Sequence, residues 1–333
     1  MTYKGVWTLS EQKHGKVHSV SYELLNRGRG LAEKLGVLLS TVLLGYDIPK
    51  TEIQELIYRG ADRVYIVNHP LLEHFLAEPY QQVLTFMIEQ YQPEIIIAAA
   101  TTTGRTIMPY VATNKLFAGL TADCTVLDIE EGTNNLLQTR PAIGGNILAT
   151  IKTPKARPQM ATVRPKSMKP AERDPSRAGE IIAVELPPQM ELRSRVKFEG
   201  FVPDSSQGVP LEDAEIVVSG GRGLAKGENF ALIRELADTL GGGVGASRDA
   251  VDRGWIEYPH QIGLSGKTIS PKLYLACGIS GSIQHLAGMQ TAETIVAINK
   301  DPDAQIFRLA DFGIVGNLFE IVPVLIRKLR ERR

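Results

Sequence analysis

The first 120 residues alternate between short apolar runs and segments in which apolar residues recur at helical spacing. Residues 95–100 form a fully apolar run, whereas Leu24, Leu25 and Leu31 share one face of a helical pattern that Gly36 ends. Near-continuous apolar strands separated by amphipathic helices are typical of a parallel sheet covered on both faces. The predicted strands are residues 5–10, 37–44, 64–67 and 95–100, and the predicted helices are residues 20–35, 53–58 and 71–91, with another after Arg105.

The pattern changes after Asp123, where strand-like runs follow one another without helices between them. We expect these runs to extend the sheet at one edge. They are residues 124–129, 136–140, 146–151 and 159–163.

A second alternation begins at Ala214, after a segment in which prolines and a Ser-Ser-Gln-Gly cluster are typical of a linker. A length of 333 residues also suits two domains. The sequence predicts an α/β protein with two mainly parallel sheets, each with helices on both faces: a Rossmann-like N-terminal domain at 1–190, a linker at 191–210 and a doubly wound C-terminal domain at 211–333. In the second domain, the predicted strands are residues 216–219, the region of Val244, 273–277, 294–298 and 307–311, and the last helix is 315–329.

Charge and composition exclude several classes of function. Lys and Arg number 37 and so do Asp and Glu, so overall charge does not attract nucleic acid or a membrane surface. The basic, proline-rich residues 152–177 are interpreted as a solvated connector rather than a nucleic-acid arm. Two cysteines and six scattered histidines predict neither a disulfide framework nor a metal site. No leader and no apolar run of membrane-spanning length is evident, so we expect a cytoplasmic protein without membrane insertion.

The candidate chemistry lies where the strands of the second domain end in small or polar turns. In an open parallel sheet, ligands bind beyond the carboxyl ends of the strands. A strand at 273–277 followed by Gly278, Ser280 and Gly281 and a helix start suits a bound phosphate, and His285 would lie one turn further on. The turns also supply hydroxyl, amide and guanidinium groups, and they lack the G-x-G-x-x-G pattern of an ordinary NAD site. These groups belong to Ser247, Ser280, Ser282, Asn299, Arg222 and Arg248.

The same turns carry long motifs that resemble the electron transfer flavoprotein alpha subunit family. They read V-V-S-G-G-R-G-L, G-A-S-R-D-A-V-D-R-G-W, Q-I-G-L-S-G-K-T, G-I-S-G-S-I-Q-H-L-A-G-M, A-I-N-K-D-P-D-A-Q-I-F and A-D-F-G-I-V-G-N-L-F. The first half contributes T-A-D-C-T at 121–125 and T-R-P-A-I-G-G-N at 139–146. The resemblance covers almost the whole chain.

This resemblance implies that the second domain holds one FAD. Arg248 would lie over the flavin ring, Ser265 would bond its N5 edge, and His285 would sit near the pyrimidine oxygens. An Arg and a His there would stabilise the negative charge of a reduced flavin. Gln261, together with Lys267 and Asp301, is alternatively interpreted as shaping loops only. The implied FAD contacts are Arg222, Ser247, Arg248, Gln261, Ile262, Gly263, Leu264, Ser265, Gly278, Ser280, Gly281, Ser282, Ile283, Gln284, His285, Asn299, Asn317 and Leu318.

The resemblance also implies partners. The family works as a heterodimer with a beta subunit carrying a second FAD or AMP, and much of the first domain would then be interface. T-R-P-A-I-G-G-N and Ser265 within Q-I-G-L-S-G-K are similar to the flavin-bifurcating branch. There this subunit would take single electrons from the partner's flavin, which oxidises NADH, and pass them to an acyl-CoA dehydrogenase or similar enzyme.

Other readings of the sequence remain open at this point. One is an electron transfer flavoprotein that does not bifurcate, and another is an NAD-dependent enzyme with His285 as its base. A third is an adenine-nucleotide sensor that binds its ligand in the first domain. There the turn at 101–105 resembles a phosphate turn, although we expect it to be structural.

Overall fold

The structure is a computed structural model that describes residues 3–113, 117–142, 147–200, 211 and 214–331. Described residues up to 200 form one compact unit, and those from 211 onward form a second. Of the predicted linker, residues 191–200 lie within the first unit and residues 201–210 lie outside the described residues. No helix in the described ranges is long and apolar enough to cross a membrane.

The first unit is built on a seven-stranded parallel sheet in the order β12-β5-β4-β1-β6-β11-β7. Its strands and short hairpins are β1 (Val6–Ser10), β2 (Gln12–Lys13), β3 (Lys16–Val17), β4 (Leu39–Gly45), β5 (Arg63–Asn68), β6 (Ile95–Ala99), β7 (Leu120–Cys124), β8 (Val126–Ile129), β9 (Leu136–Ala142), β10 (Ile147–Ile151), β11 (Gln159–Val163) and β12 (Glu180–Ala183). Its helices are α1 (Val20–Leu35), α2 (Lys50–Tyr58), α3 (Ala77–Tyr91) and α4 (Thr102–Thr113).

Two apolar cores cover the two faces of this sheet, as the alternation along β6 illustrates. Ile95 and Ile97 belong to the core with α1 and α2, whereas Ile96 and Ala98 belong to the core with α3 and α4. Because successive side chains of a strand point to opposite faces, an uninterrupted apolar run is what a strand between two helix layers requires.

The predicted edge extension was wrong for residues 159–163. These residues form β11, which lies between β6 and β7 and is buried at all five positions. Strands β8, β9 and β10 instead form a separate antiparallel sheet of three strands. The predicted helix 71–91 is also divided, because a 3-10 turn at Pro70–Leu72 precedes α3.

The second unit is a five-stranded parallel sheet in the order β14-β13-β15-β16-β17. The strand order reverses between β13 and β15, which makes their carboxyl ends the topological switch point where ligands bind in open α/β sheets. Its strands are β13 (Ile216–Gly220), β14 (Gly243–Ala246), β15 (Leu273–Cys277), β16 (Thr294–Asn299) and β17 (Phe312–Val315), and its helices are α5 (Phe230–Leu240), α6 (Arg248–Asp252), α7 (Ile283–Leu286) and α8 (Leu318–Glu331).

The predicted strand 307–311 was wrong. A 3-10 turn occupies Gln305–Arg308, and the strand starts at Phe312, which pairs with Val296. Asp311 explains the shift, because its carboxylate accepts a hydrogen bond from the Ile295 amide at 2.8 Å and so ties down the residue before the strand. The last helix consequently starts at Leu318 rather than at 315.

We predict opposite effects for two glycine-to-alanine substitutions in the first unit. Gly104→Ala should destabilise the chain by about 2–3 kcal/mol, because the new Cβ overlaps the carbonyl oxygen of Ala99 where α4 packs on β6. Gly30→Ala, in α1 with no atom within 4 Å of the new Cβ, should stabilise it by about 0.5–1 kcal/mol. Urea denaturation measures both, and equal stability of the two variants would contradict the tight approach of α4 to the sheet.

Candidate functional site

Backbone hydrogen bonds between neighbouring strand ends hold the turns of the second unit together at one edge of its sheet. They link each turn to the strand beside it, so the turns form one continuous surface. The bonds run from the Ser247 amide to the Gly220 carbonyl (3.0 Å), from Gly221 to Cys277 (3.1 Å), from Gly278 to Ile298 (2.9 Å) and from Gly316 to Asn299 (2.9 Å).

Glycine backbones touch at the switch point itself. The Gly223 amide donates to the Gly278 carbonyl at 2.9 Å. A Cβ on Gly221 would lie 2.5 Å from that carbonyl oxygen, and a Cβ on Gly278 would lie 2.8 Å from the Cα of Gly223. Gly278 also has φ +65°, a left-handed conformation that favours glycine. Only residues without side chains allow the two turns to approach this closely.

Within the described part of the chain, the buried hydroxyl of Ser247 has no hydrogen-bond partner. Ser247 is the N-cap residue of α6, yet its side chain makes no capping bond. A buried hydroxyl left unpaired is energetically unfavourable, so such groups mark places where a ligand or water completes the bonding. The next residue, Arg248, is 69% exposed and donates from Nε to Asp252 at 3.2 Å.

The loop at 262–265, which follows Gln261, lies against both β14 and α7. The Ile262 amide donates to the Ala246 carbonyl and the Leu264 amide donates to the Gln284 carbonyl, each at 2.9 Å. Gln261 is buried, and its side-chain amide donates to Ser265 Oγ at 3.1 Å. Gln261 therefore shapes this loop in the structure, while Ser265 at the tip is exposed.

His285 is buried, with both ring nitrogens engaged inside the protein. It is 4% exposed, Nε2 lies 2.7 Å from the hydroxyl of Tyr274, and Nδ1 lies 3.1 Å from the carbonyl oxygen of Ile262. Burial lowers the pKa of His285 to about 4, although the Ile262 carbonyl acts in the opposite direction. The ring is therefore neutral near pH 7 and is poorly placed to act as the base of an NAD-dependent enzyme.

The remaining predicted site residues fall into two groups at this edge. Some pack against or bond to the hydrogen-bonded turns: the Asn299 side chain donates to the Ile279 carbonyl at 2.9 Å, and Leu318 is buried against the Gly278 turn. Gly281, with φ +86°, packs against the backbone of Ile306. The exposed group consists of Arg222, Ser280, Ser282, Ile283 and Asn317.

Two buried polar residues of the site were not predicted from the sequence. Tyr274 occurs inside what reads as an apolar strand, and Ser219 ends another one. Tyr274 is itself the feature of the sequence that indicates a buried polar contact, because a tyrosine in a buried strand requires a hydrogen-bond partner for its hydroxyl.

In chemical terms, the site combines positive charge with exposed hydroxyl groups, both of which suit a bound anion. Arg222 and Arg248 provide the charge, and Ser280 and Ser282 provide hydroxyl groups on the turn after β15. Among the described residues, no group of three or more His, Cys, Asp or Glu side chains is arranged to hold a metal ion.

Comparison with known proteins assigns both units to one family. Residues 6–189 match the electron transfer flavoprotein domain, and residues 210–290 match the electron transfer flavoprotein FAD-binding domain.

Related proteins match over nearly their whole length. The chain is 50% identical over 329 residues to the electron transfer flavoprotein subunit alpha of Thermoanaerobacterium thermosaccharolyticum, covering 99% of this chain and 98% of that protein. It is 44% identical over 333 residues to the subunit of the same name from Megasphaera elsdenii, with 99% and 98% covered. It is 46% identical over 331 residues to protein FixB of Azotobacter vinelandii, with 98% and 91% covered.

We predict that His285 makes stability depend on pH. Its pKa lies below the ordinary value of 6.5, so the folded chain binds fewer protons than the unfolded chain as pH falls from about 6.5 to about 4. The unfolding free energy contributed by the neutral ring is fully present above pH 6.5 and should decrease by up to about 3 kcal/mol over that interval. His285→Asn should lack this decrease.

Urea denaturation of wild type and His285→Asn at pH 7.5, 5.5 and 4.5 measures this pH dependence of the unfolding free energy. Burial raises the pKa of Glu23 in the first unit to about 7, which acts in the opposite sense over much of this range, so the difference between wild type and variant is the quantity to compare. A difference that does not change with pH would contradict the lowered pKa.

Proposed function

The chain belongs to the electron transfer flavoprotein alpha subunit family and functions in electron transfer, and we propose that its second unit binds one FAD at the switch point of the five-stranded sheet. The unpartnered, buried hydroxyl of Ser247 carries this proposal, because it lies in one of the turns that meet at that edge. A flavin nucleotide offers phosphate and ribose oxygens to such a group.

The donors at this edge fit a dinucleotide. Ser280 and Ser282 would bond the diphosphate from the turn after β15, and Arg222 would add positive charge from the turn after β13. Glycines at the contact between those turns put no side chain at the switch point, so ligand atoms would approach backbone groups there. Ser247 would complete its bonding on the ligand.

The bound flavin would supply the capacity to accept and release electrons singly. Arg248 is proposed to place its exposed guanidinium over the ring and to stabilise negative charge there, since Arg remains protonated at any working pH. The hydroxyl of Ser265, exposed at the loop tip, is proposed to donate a hydrogen bond to the ring edge or to accept one from it. His285 is neutral and buried, so its contribution does not depend on a charge of its own.

We further propose a heterodimer with a beta subunit carrying a second FAD or AMP, and an acyl-CoA dehydrogenase or similar enzyme as electron acceptor. The motif at 139–146 and Ser265 support the bifurcating branch, in which NADH is oxidised at the partner's flavin. Residues 143–146 of that motif lie outside the described residues.

The first unit is less suited to bind a nucleotide of its own. At the turn that resembles a phosphate site, Thr101 donates to the Glu11 carboxylate at 2.5 Å and accepts from the Gly104 amide at 3.1 Å. A carboxylate already bonded there would repel a phosphate, which supports a structural role for this turn.

The visible absorption spectrum tests the central proposal. The purified chain, alone and co-expressed with its beta subunit, should retain flavin absorption bands. A second equivalent of flavin appearing only with the partner would support the bifurcating branch. A complex that remains colourless after addition of FAD would refute FAD binding.

Ser247→Ala separates ligand binding from folding. Because Ser247 Oγ is buried, makes no cap bond and has no partner within the described residues, its removal should not destabilise the flavin-free chain and should stabilise it by up to about 1 kcal/mol. FAD affinity should fall about five- to tenfold, as for the loss of one hydrogen bond.

The matched control is Ser270→Ala. Ser270 donates to the Thr291 carbonyl at 3.0 Å, so its loss should destabilise the chain by about 1 kcal/mol and leave FAD affinity unchanged. Isothermal titration and urea denaturation measure the two effects. Unaltered FAD affinity in Ser247→Ala would show that this hydroxyl does not contact the ligand.

A further inference from the structure

A buried chain of hydrogen bonds joins Tyr274, the second residue of β15, to the loop at 262–265. Tyr274 is 0% exposed, and its hydroxyl lies 2.7 Å from Nε2 of His285. Nδ1 of His285 lies 3.1 Å from the carbonyl oxygen of Ile262. The connection therefore runs from a central strand, across α7, to the backbone of the loop.

The direction of each hydrogen bond follows from the chemistry of its partners. The Ile262 carbonyl can only accept, so Nδ1 of His285 carries the hydrogen. In a neutral ring Nε2 then has only a lone pair, and the hydroxyl of Tyr274 must donate to it. Burial raises the pKa of Tyr274, so the phenol keeps the proton that it donates. A single tautomer satisfies both bonds.

The Ile262 carbonyl belongs to the peptide at which the loop turns. The next residue, Gly263, has φ +144°, and a Cβ there would lie 2.9 Å from the Gln284 carbonyl oxygen. The same carbonyl oxygen accepts from the Leu264 amide at 2.9 Å. The orientation of the Ile262 peptide thus contributes to the path of residues 263–265, together with the hydrogen bonds that Ser265 accepts from Gln261 at 3.1 Å and from Tyr258 at 2.8 Å.

We propose that Tyr274 is a positioning residue for the loop at 262–265: its hydroxyl holds the His285 imidazole, and the imidazole holds the Ile262 carbonyl. Tyr274 acts on the loop through His285 and makes no contact with the ligand itself. The inference rests on the proposed function in one respect, that this loop contacts FAD.

Tyr274→Phe removes the hydroxyl and keeps the ring. In the flavin-free variant, NMR should show that Nε2 of His285 no longer accepts a hydrogen bond, and hydrogen exchange at the Gly263 and Leu264 amides should rise about tenfold. Exchange at Leu275 in β15 should not change. FAD affinity should fall about five- to tenfold, because the free loop must then be ordered on binding.

Tyr80→Phe is the matched control. Tyr80 is a buried tyrosine of the first unit whose hydroxyl bonds the carbonyl oxygens of Leu44 and Leu72 at 3.3 and 3.2 Å. It should leave loop exchange and FAD affinity unchanged. An Asn at position 285 can donate to the Ile262 carbonyl without help from the phenol. Tyr274→Phe should therefore add nothing to the exchange rates of His285→Asn.

Wild-type exchange rates at the loop amides in Tyr274→Phe would overturn the proposal, as would a uniform rise throughout the second unit. If the variant fails to fold, NMR of His285 in the wild-type chain tests the proposal instead. A ring with Nδ1 unprotonated overturns it, and a protonated Nδ1 with a hydrogen-bonded Nε2 supports it. A wild-type chain that does not bind FAD would refute the proposed function, while loop exchange would still report on Tyr274.

Discussion

The second unit depends on the contact between two glycine turns at the centre of its sheet. Where the Gly223 amide meets the Gly278 carbonyl, the ends of β13 and β15 are joined by backbone groups alone. Any side chain at Gly221 or Gly278 would overlap backbone atoms. The neighbouring strands are bonded to the same two strand ends: the Ser247 amide after β14 donates to the Gly220 carbonyl of β13, and the Gly278 amide after β15 donates to the Ile298 carbonyl of β16.

Polar residues at this edge serve two physical purposes that their residue types do not distinguish. The side chains of Gln261, Asn299 and His285 form hydrogen bonds to other groups of the protein, so they support the arrangement of the turns and the loop. Ser247 has a buried hydroxyl with no such bond among the described residues. A buried unpaired hydroxyl is destabilising, and a ligand bound at this edge would remove that cost. Whether a polar residue bonds to the protein or is left for a ligand depends on its neighbours in three dimensions, so the residue type alone does not show it.

Local patterns predicted the elements whose limits are set locally. The helix at Val20–Leu35 and the strand at Leu273–Cys277 have the predicted bounds, because glycine stops and apolar runs define them. The interior position of Gln159–Val163 depends on pairing with Ile95–Ala99, far earlier in the chain, and no local pattern encodes it. The same holds in the site: the turns were predicted from their composition, whereas the burial of His285 depends on the loop that covers it.

The electrostatics of the site follow from this burial. With His285 neutral, positive charge at the proposed flavin site would come from the exposed guanidinium groups of Arg222 and Arg248. A charged histidine inside the unit would instead have to be desolvated, and its charge would vary near pH 6.5. At the proposed site, the exposed arginines would stabilise negative charge on the ligand, whereas the buried histidine would hold the loop in place. An environment organised in this way would stabilise a reduced ligand without taking up a proton itself.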